Sequence, residues 1–184
     1  MIDAQGWYHQ ARKVPSPHCD ARGDSEDISL LVIHNISLPP GQFGGPYIEQ
    51  FFLGQLDAEQ HPFFKVIAPI RVSAHCVIRR DGEVVQLVPF GLRAWHAGVS
   101  SFAGRAKCND YSIGIELEGT DFVPYTAAQY QALITLTQAL MARYPHITVP
   151  RITGHQYIAP LRKTDPGLVF DWPRLRAGLQ AKAL

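Results

Sequence analysis

Leu30-Leu31-Val32-Ile33, closed by His34, is the first clear hydrophobic element of the chain. An unbroken apolar run this short predicts a strand buried on both faces. A loop rich in proline and glycine follows it, around Pro39-Pro40-Gly41. Residues 46–52 then read as a short helix, with Pro46 suited to its first turn. Residues 73–80 and 83–88 are β-rich and flank Asp81-Gly82, which predicts a hairpin. Residues 112–118 alternate well enough for a further strand, and Gly114 inside it points to close backbone packing or a bulge.

The strongest helical pattern covers residues 126–144. Thr126 and Gln129 have the spacing of a capping box. Tyr130, Leu133, Ile134, Thr137, Leu140, Met141 and Tyr144 recur at three and four residues, giving one apolar stripe. That stripe predicts a core-packing helix. A short extended run at 151–154 leads to His155, and a last helix is expected over 171–180. The opening segment, to about residue 27, reads as an irregular lead-in. Strands and helices are mixed, and the hairpin makes the sheet partly antiparallel. The expected class is α/β in the broad, α+β sense: a single domain over residues 1–184.

Composition narrows the function classes. A chain of 184 residues is ample for one packed core. With 46% apolar and 18% charged residues, it is not a disordered chain. Basic and acidic residues nearly balance, 17 against 16, so charge gives no reason to expect nucleic acid as a partner. The first 14 residues carry no apolar stretch after a basic start, and no segment approaches the roughly 18 apolar residues of a membrane span. A soluble, cytosolic monomer without a membrane partner is expected. Cys19, Cys76 and Cys108 are odd in number and far apart, which argues against a disulfide framework and against a thiolate metal site. Cys76, next to Val77 and Ile78, reads as a small buried hydrophobe.

Eight histidines stand out: His9, His18, His34, His61, His75, His96, His146 and His155. None forms the helical H-E-x-x-H arrangement, and no nucleophile elbow or phosphate loop is present. His34 closes a buried strand at its loop edge, a frequent place for chemistry. His155 follows Gly154, whose freedom would let the backbone turn so that the ring reaches inward. Asp165 stands before Pro166-Gly167, where a turn former is the ordinary reading. Two imidazoles and a carboxylate make a plausible catalytic metal set with one position left to water. Spacing alone does not single these three out from the other histidines and acids. Glu116 and Glu118 share one strand face, and pattern does not choose between them.

Four segments carry a resemblance: Val32-Ile33-His34-Asn35-Ile36-Ser37, Arg93-Ala94-Trp95-His96-Ala97-Gly98, Ser112-Ile113-Gly114-Ile115-Glu116-Leu117-Glu118-Gly119, and Gly154-His155 followed by Arg162-Lys163-Thr164-Asp165-Pro166-Gly167. In this order and spacing the chain resembles the AmpD-type N-acetylmuramoyl-L-alanine amidases, relatives of phage amidase lysozymes and animal peptidoglycan-recognition proteins. The resemblance implies a mixed β-sheet flanked by helices with one zinc ion in a surface groove. It implies His34, His155 and Asp165 as ligands and Glu116 and Lys163 as catalytic partners, and leaves His75 and His96 outside the ligand set. It implies hydrolysis of the amide between the lactyl group of (1,6-anhydro-)N-acetylmuramic acid and L-alanine, in cytosolic cell-wall recycling. A lytic amidase of intact peptidoglycan and a non-catalytic peptidoglycan binder are the alternatives. Asn35, Arg71, Trp95, Arg105, Lys107 and Arg162 are candidate contacts to sugar or peptide.

Overall fold

The computed structural model describes residues 1–180. Its strands are β1 (Arg12–Lys13), β2 (Cys19–Ala21), β3 (Leu30–Ile36), β4 (Cys76–Ile78), β5 (Val84–Gln86), β6 (Leu92–Ala94), β7 (Ser101–Phe102), β8 (Arg105–Ala106), β9 (Ser112–Glu118) and β10 (Ile152–Gly154). Its α-helices are α1 (Tyr47–Phe52), α2 (Pro62–Ile67), α3 (Ala127–Arg143), α4 (His155–Ile158) and α5 (Trp172–Gln180). Six strands form the main sheet in the order β1-β5-β4-β9-β3-β10. The sheet is mixed: β4–β5 is the antiparallel pair, and the other neighbours run parallel. Helices cover it, so the fold is the mixed α/β architecture expected.

The two central strands explain where chemistry can sit. Leu31 and Ile33 of β3, with Ile113 and Ile115 of β9, pack on the α3–α5 side against Leu133, Leu136, Leu140 and Leu175. Leu30 and Val32 face the other way, against Ala97, Cys108, Tyr111 and Ile158. Each such buried aliphatic side chain stabilises the fold by roughly 1.5–3 kcal/mol relative to exposure. Strand alternation then puts His34 on the face of Leu30 and Val32, and Glu116 on the face opposite Ile113 and Ile115. The parallel register sets His34 directly beside Glu116. Two polar side chains therefore meet at the carboxyl ends of buried, parallel strands, where open sheets place their ligands.

The long helix is anchored at both levels that its sequence encodes. Both bonds of the Thr126–Gln129 capping box form. Of the expected stripe, Tyr130, Leu133, Thr137 and Leu140 are buried and Ile134, Met141 and Tyr144 half-buried, while Leu136 and Gln129 join the buried face. The Gln129 amide donates to Ile78 O and Glu118 O, which ties the helix start to the sheet.

Several expectations are corrected. The lead-in is not wholly irregular: β1 adds a parallel edge strand beside β5, and β2 pairs with β6. Both are two or three residues long, too short to show a period. Pro46 is the N-cap of α1, one position before its first turn. Gly154 has an extended backbone. A methyl group there would lie 2.8 Å from Pro166 Cδ, so close packing and not a tight turn requires the glycine. Helix α2, packed through Phe64, had no counterpart in the sequence reading.

Candidate metal centre

Three polar atoms converge at one end of the sheet. His34 projects from β3, His155 opens the short helix α4 directly after β10, and Asp165 lies on the loop that follows. Parallel pairing of β10 with β3 brings the two histidine-bearing chain segments side by side. The Asp165 loop is held there by Gln156 N–H donating to Asp165 O. His34 Nδ1 and His155 Nδ1 are 3.0 Å apart. Asp165 Oδ2 is 3.0 Å from the first and 3.1 Å from the second. The two imidazoles are almost fully buried, and the carboxylate closes the group from the solvent side. This cluster is a group that can hold a metal ion.

The protons around it fit that reading. His155 Nε2 lies 3.0 Å from Ala97 O, a pure acceptor, so Nε2 carries a hydrogen and Nδ1 is the atom turned to the centre. His34 is held at Nε2 by His96 Nδ1, 2.8 Å away, which likewise leaves Nδ1 for the centre. Burial depresses the His34 imidazole to about 4, and it drives His96 well below its ordinary value. With both Nδ1 atoms bare, the two nitrogens and the carboxylate would repel one another at these contact distances. A cation between them relieves that repulsion, and two imidazoles with one carboxylate suit a catalytic zinc.

Beside the cluster, Glu116 Oε2 is buried without a hydrogen-bond partner among the described residues. Burial, reinforced by the negative charge of Asp165, raises this carboxyl well above the ordinary glutamate value, and Lys163 partly offsets the rise. Glu118, two residues on, is fully engaged. Its Oε1 accepts from Gly44 N–H and its Oε2 from Arg80 N–H, with Arg79 3.6 Å away. The strand thus holds one committed carboxylate and one free one. Lys163 is exposed, and its charge acts on both Glu116 and His34. A groove of about 460 Å³ runs over the centre, with Asn35, Asp121, Arg162, Lys163 and Asp165 in its wall.

The other candidate contacts are more scattered. Asn35 donates to Asp121 Oδ1 at the groove. Arg162 donates to Ala97 O and Val99 O, both at 2.7 Å, and so braces the loop that also orients His155. Trp95 stacks on His18, with ring centroids 6.0 Å apart. Arg105 pairs with Asp27 and covers the Tyr111 ring. Arg71 donates to Ala68 O at the end of α2, and Lys107 takes a left-handed backbone at an exposed turn. His75 lies inside the protein, where Gly114 N–H donates to its Nδ1, and burial lowers its ring to about 3. His96 carries more structure than its sequence position announced, because it touches His34, a member of the cluster, directly.

A mixed sheet that gathers two histidines and an aspartate under an open groove, with an unpaired carboxylate alongside, is the arrangement of a hydrolase with a group able to hold a metal ion. The chain belongs to the N-acetylmuramoyl-L-alanine amidase family, whose pattern matches residues 24–168. It is 63% identical over 177 residues to the 1,6-anhydro-N-acetylmuramyl-L-alanine amidase AmpD of Salmonella typhimurium, an alignment covering 96% of this chain and 94% of that one. It superposes on the crystal structure of a selenomethionine AmpD derivative with a TM-score of 0.94 at 62% identity, covering 97% of this chain and 99% of that one. A more distant neighbour is the amidase AmiD of Escherichia coli, solved in complex with anhydro-N-acetylmuramic acid-L-Ala-D-γ-Glu-L-Lys. There the TM-score is 0.63 at 30% identity, over 96% of this chain and 65% of that one.

Proposed function

We propose that this protein, as one catalytic domain, hydrolyses the amide between the lactyl group of 1,6-anhydro-N-acetylmuramic acid and L-alanine in soluble muropeptides. The setting is cytosolic recycling of cell-wall fragments. In this reading His34, His155 and Asp165 hold one zinc ion. The observation that carries the metal assignment is the contact of two imidazole nitrogens and a carboxylate oxygen, with the outer nitrogen of His155 engaged by a carbonyl. The substrate assignment rests on near full-length similarity to amidases of that name.

Zinc, when bound, supplies Lewis acidity toward water and toward the amide carbonyl. The protein's own groups do the rest. Glu116 Oε2, unpaired and of raised basicity, accepts a proton from the attacking water. Oxygen adds to the carbonyl carbon, the carbon–nitrogen bond breaks, and Glu116 returns the proton to the departing L-alanine nitrogen. Lys163, on the groove wall, faces the negative charge that develops on the carbonyl oxygen. Asn35, on the same groove wall, is the proposed contact to the sugar or peptide.

The test offers soluble anhydro-muropeptide and insoluble sacculi in parallel and follows peptide release. Fast release from the soluble fragment and slow release from sacculi is expected. The reverse preference would assign the protein to lysis of the intact wall. Tight binding of either without release would make it a binder.

A further inference from the structure

The segment Trp95-His96-Ala97 has a role that the catalytic assignments leave open. His96 Nδ1 lies 2.8 Å from His34 Nε2, and His96 Nε2 lies 3.0 Å from Ser112 Oγ. The next residue, Ala97, gives its carbonyl to His155 Nε2. Both residues are pinned by one side chain: Asn109 Oδ1 accepts from His96 N–H at 3.1 Å and from Ala97 N–H at 2.8 Å. Space for the His96 ring is made by Gly114, where a Cβ would meet the imidazole at 2.4 Å.

We propose that His96, oriented by Ser112, is a positioning residue that fixes the tautomer and the ring plane of His34, and that the Asn109-clamped pair His96-Ala97 thereby sets both histidine ligands for metal. The proton positions follow in sequence. To bind through Nδ1, His34 must carry its hydrogen on Nε2. Among the described residues the partner of that hydrogen is His96 Nδ1, which must therefore be bare. A neutral His96 with bare Nδ1 carries its hydrogen on Nε2, and Ser112 Oγ is there to accept it. The opposite assignment would place a hydrogen on His34 Nδ1, inside the metal cluster, and block coordination. Backing of a metal-bound imidazole by a hydrogen-bond acceptor typically changes metal affinity by 10–100-fold. The two rings meet edge to face, at 86° with centroids 5.0 Å apart, so His96 also limits rotation of His34.

The inference rests on the zinc reading of the three-residue cluster, and the experiment separates the two. Zinc affinity is measured by competition with a chromophoric chelator for the parent, His34→Ala, His96→Leu, His96→Asn and Ser112→Ala. A parent without zinc affinity, or one unaffected by His34→Ala, overturns the metal reading itself. With that reading intact, His96→Leu is expected to weaken zinc binding 10–100-fold. His96→Asn, whose Oδ1 can take the place of Nδ1 as acceptor, is expected to stay within about threefold of the parent. Equal affinity for His96→Leu and the parent, or equal losses for His96→Leu and His96→Asn, overturns the positioning role. If His96→Leu does not fold, Ser112→Ala decides: it loses one hydroxyl, and a loss of about threefold or more supports the role while unchanged affinity overturns it.

Discussion

Two glutamates on one strand face divide the work at the residue scale. Glu118 spends both oxygens on Gly44 and Arg80, so it is a structural anion. Glu118→Ala leaves those buried donors unpaired and is expected to cost about 1–3 kcal/mol, seen as a lower Tm, with zinc content retained. Glu116 is the opposite case. Glu116→Gln should lower kcat by about 10²–10⁴-fold while zinc stays bound, as metal analysis and steady-state rates would show. The same substitution has a stability signature in metal-free protein. Burial holds the Glu116 proton in the folded chain above the ordinary value of 4.5, so the folded state binds more protons than the unfolded one over that window. Stability therefore falls as pH rises from about 4.5 through the raised value. Glu116→Gln removes that loss: its Tm should exceed the parent's at pH 7, and the gap should close by pH 4. A gap that is equal at both pH values would contradict the buried, unpaired carboxylate.

At the scale of elements, the centre depends on β9 giving its His34-side face to polar groups and to one glycine. Gly114→Ala should force the His96 ring to move and cost about 1–3 kcal/mol, with weaker zinc binding as its companion effect. Elements with long patterns were legible in the sequence. Strands β3 and β9 and helix α3 carry seven to seventeen residues, long enough for alternation, an apolar run or a capping box to show. Strands β1 and β2 and helix α2 were not. Their two to six residues owe their form to a partner strand or to one buried Phe64, which no local period reports. The donor types of the centre were equally legible, but their meeting was not. His34 and Asp165 are 131 residues apart, and only the ordered resemblance of the surrounding segments named them together. The outer contacts of His96 and the bracing role of Arg162 escaped that reading because both act through loop carbonyls or rings, not through a motif of their own.

For the whole molecule, the three proposed ligands join the central strand β3 to the segment that follows β10 and to the loop at Asp165. A metal there ties the last part of the chain to the sheet, so its removal should loosen the fold. Any ligand that binds only the folded state stabilises it by mass action, about 4 kcal/mol when present at a thousand times its Kd. Chelation of the parent should lower Tm by several degrees, and His34→Ala should show the lower Tm with or without added zinc. Among the described residues, no helix is long and apolar enough to cross a membrane. The groove at the centre has a volume of about 460 Å³. The most direct measurement is mass spectrometry of the products from anhydro-N-acetylmuramyl-L-alanyl peptide, run with the parent as purified, after chelation and after zinc is restored. The expected products are anhydro-N-acetylmuramic acid and a peptide with a free L-alanine amino group, lost on chelation and regained with zinc. Intact substrate, cleavage at another bond, or full activity in the metal-free protein would contradict the account.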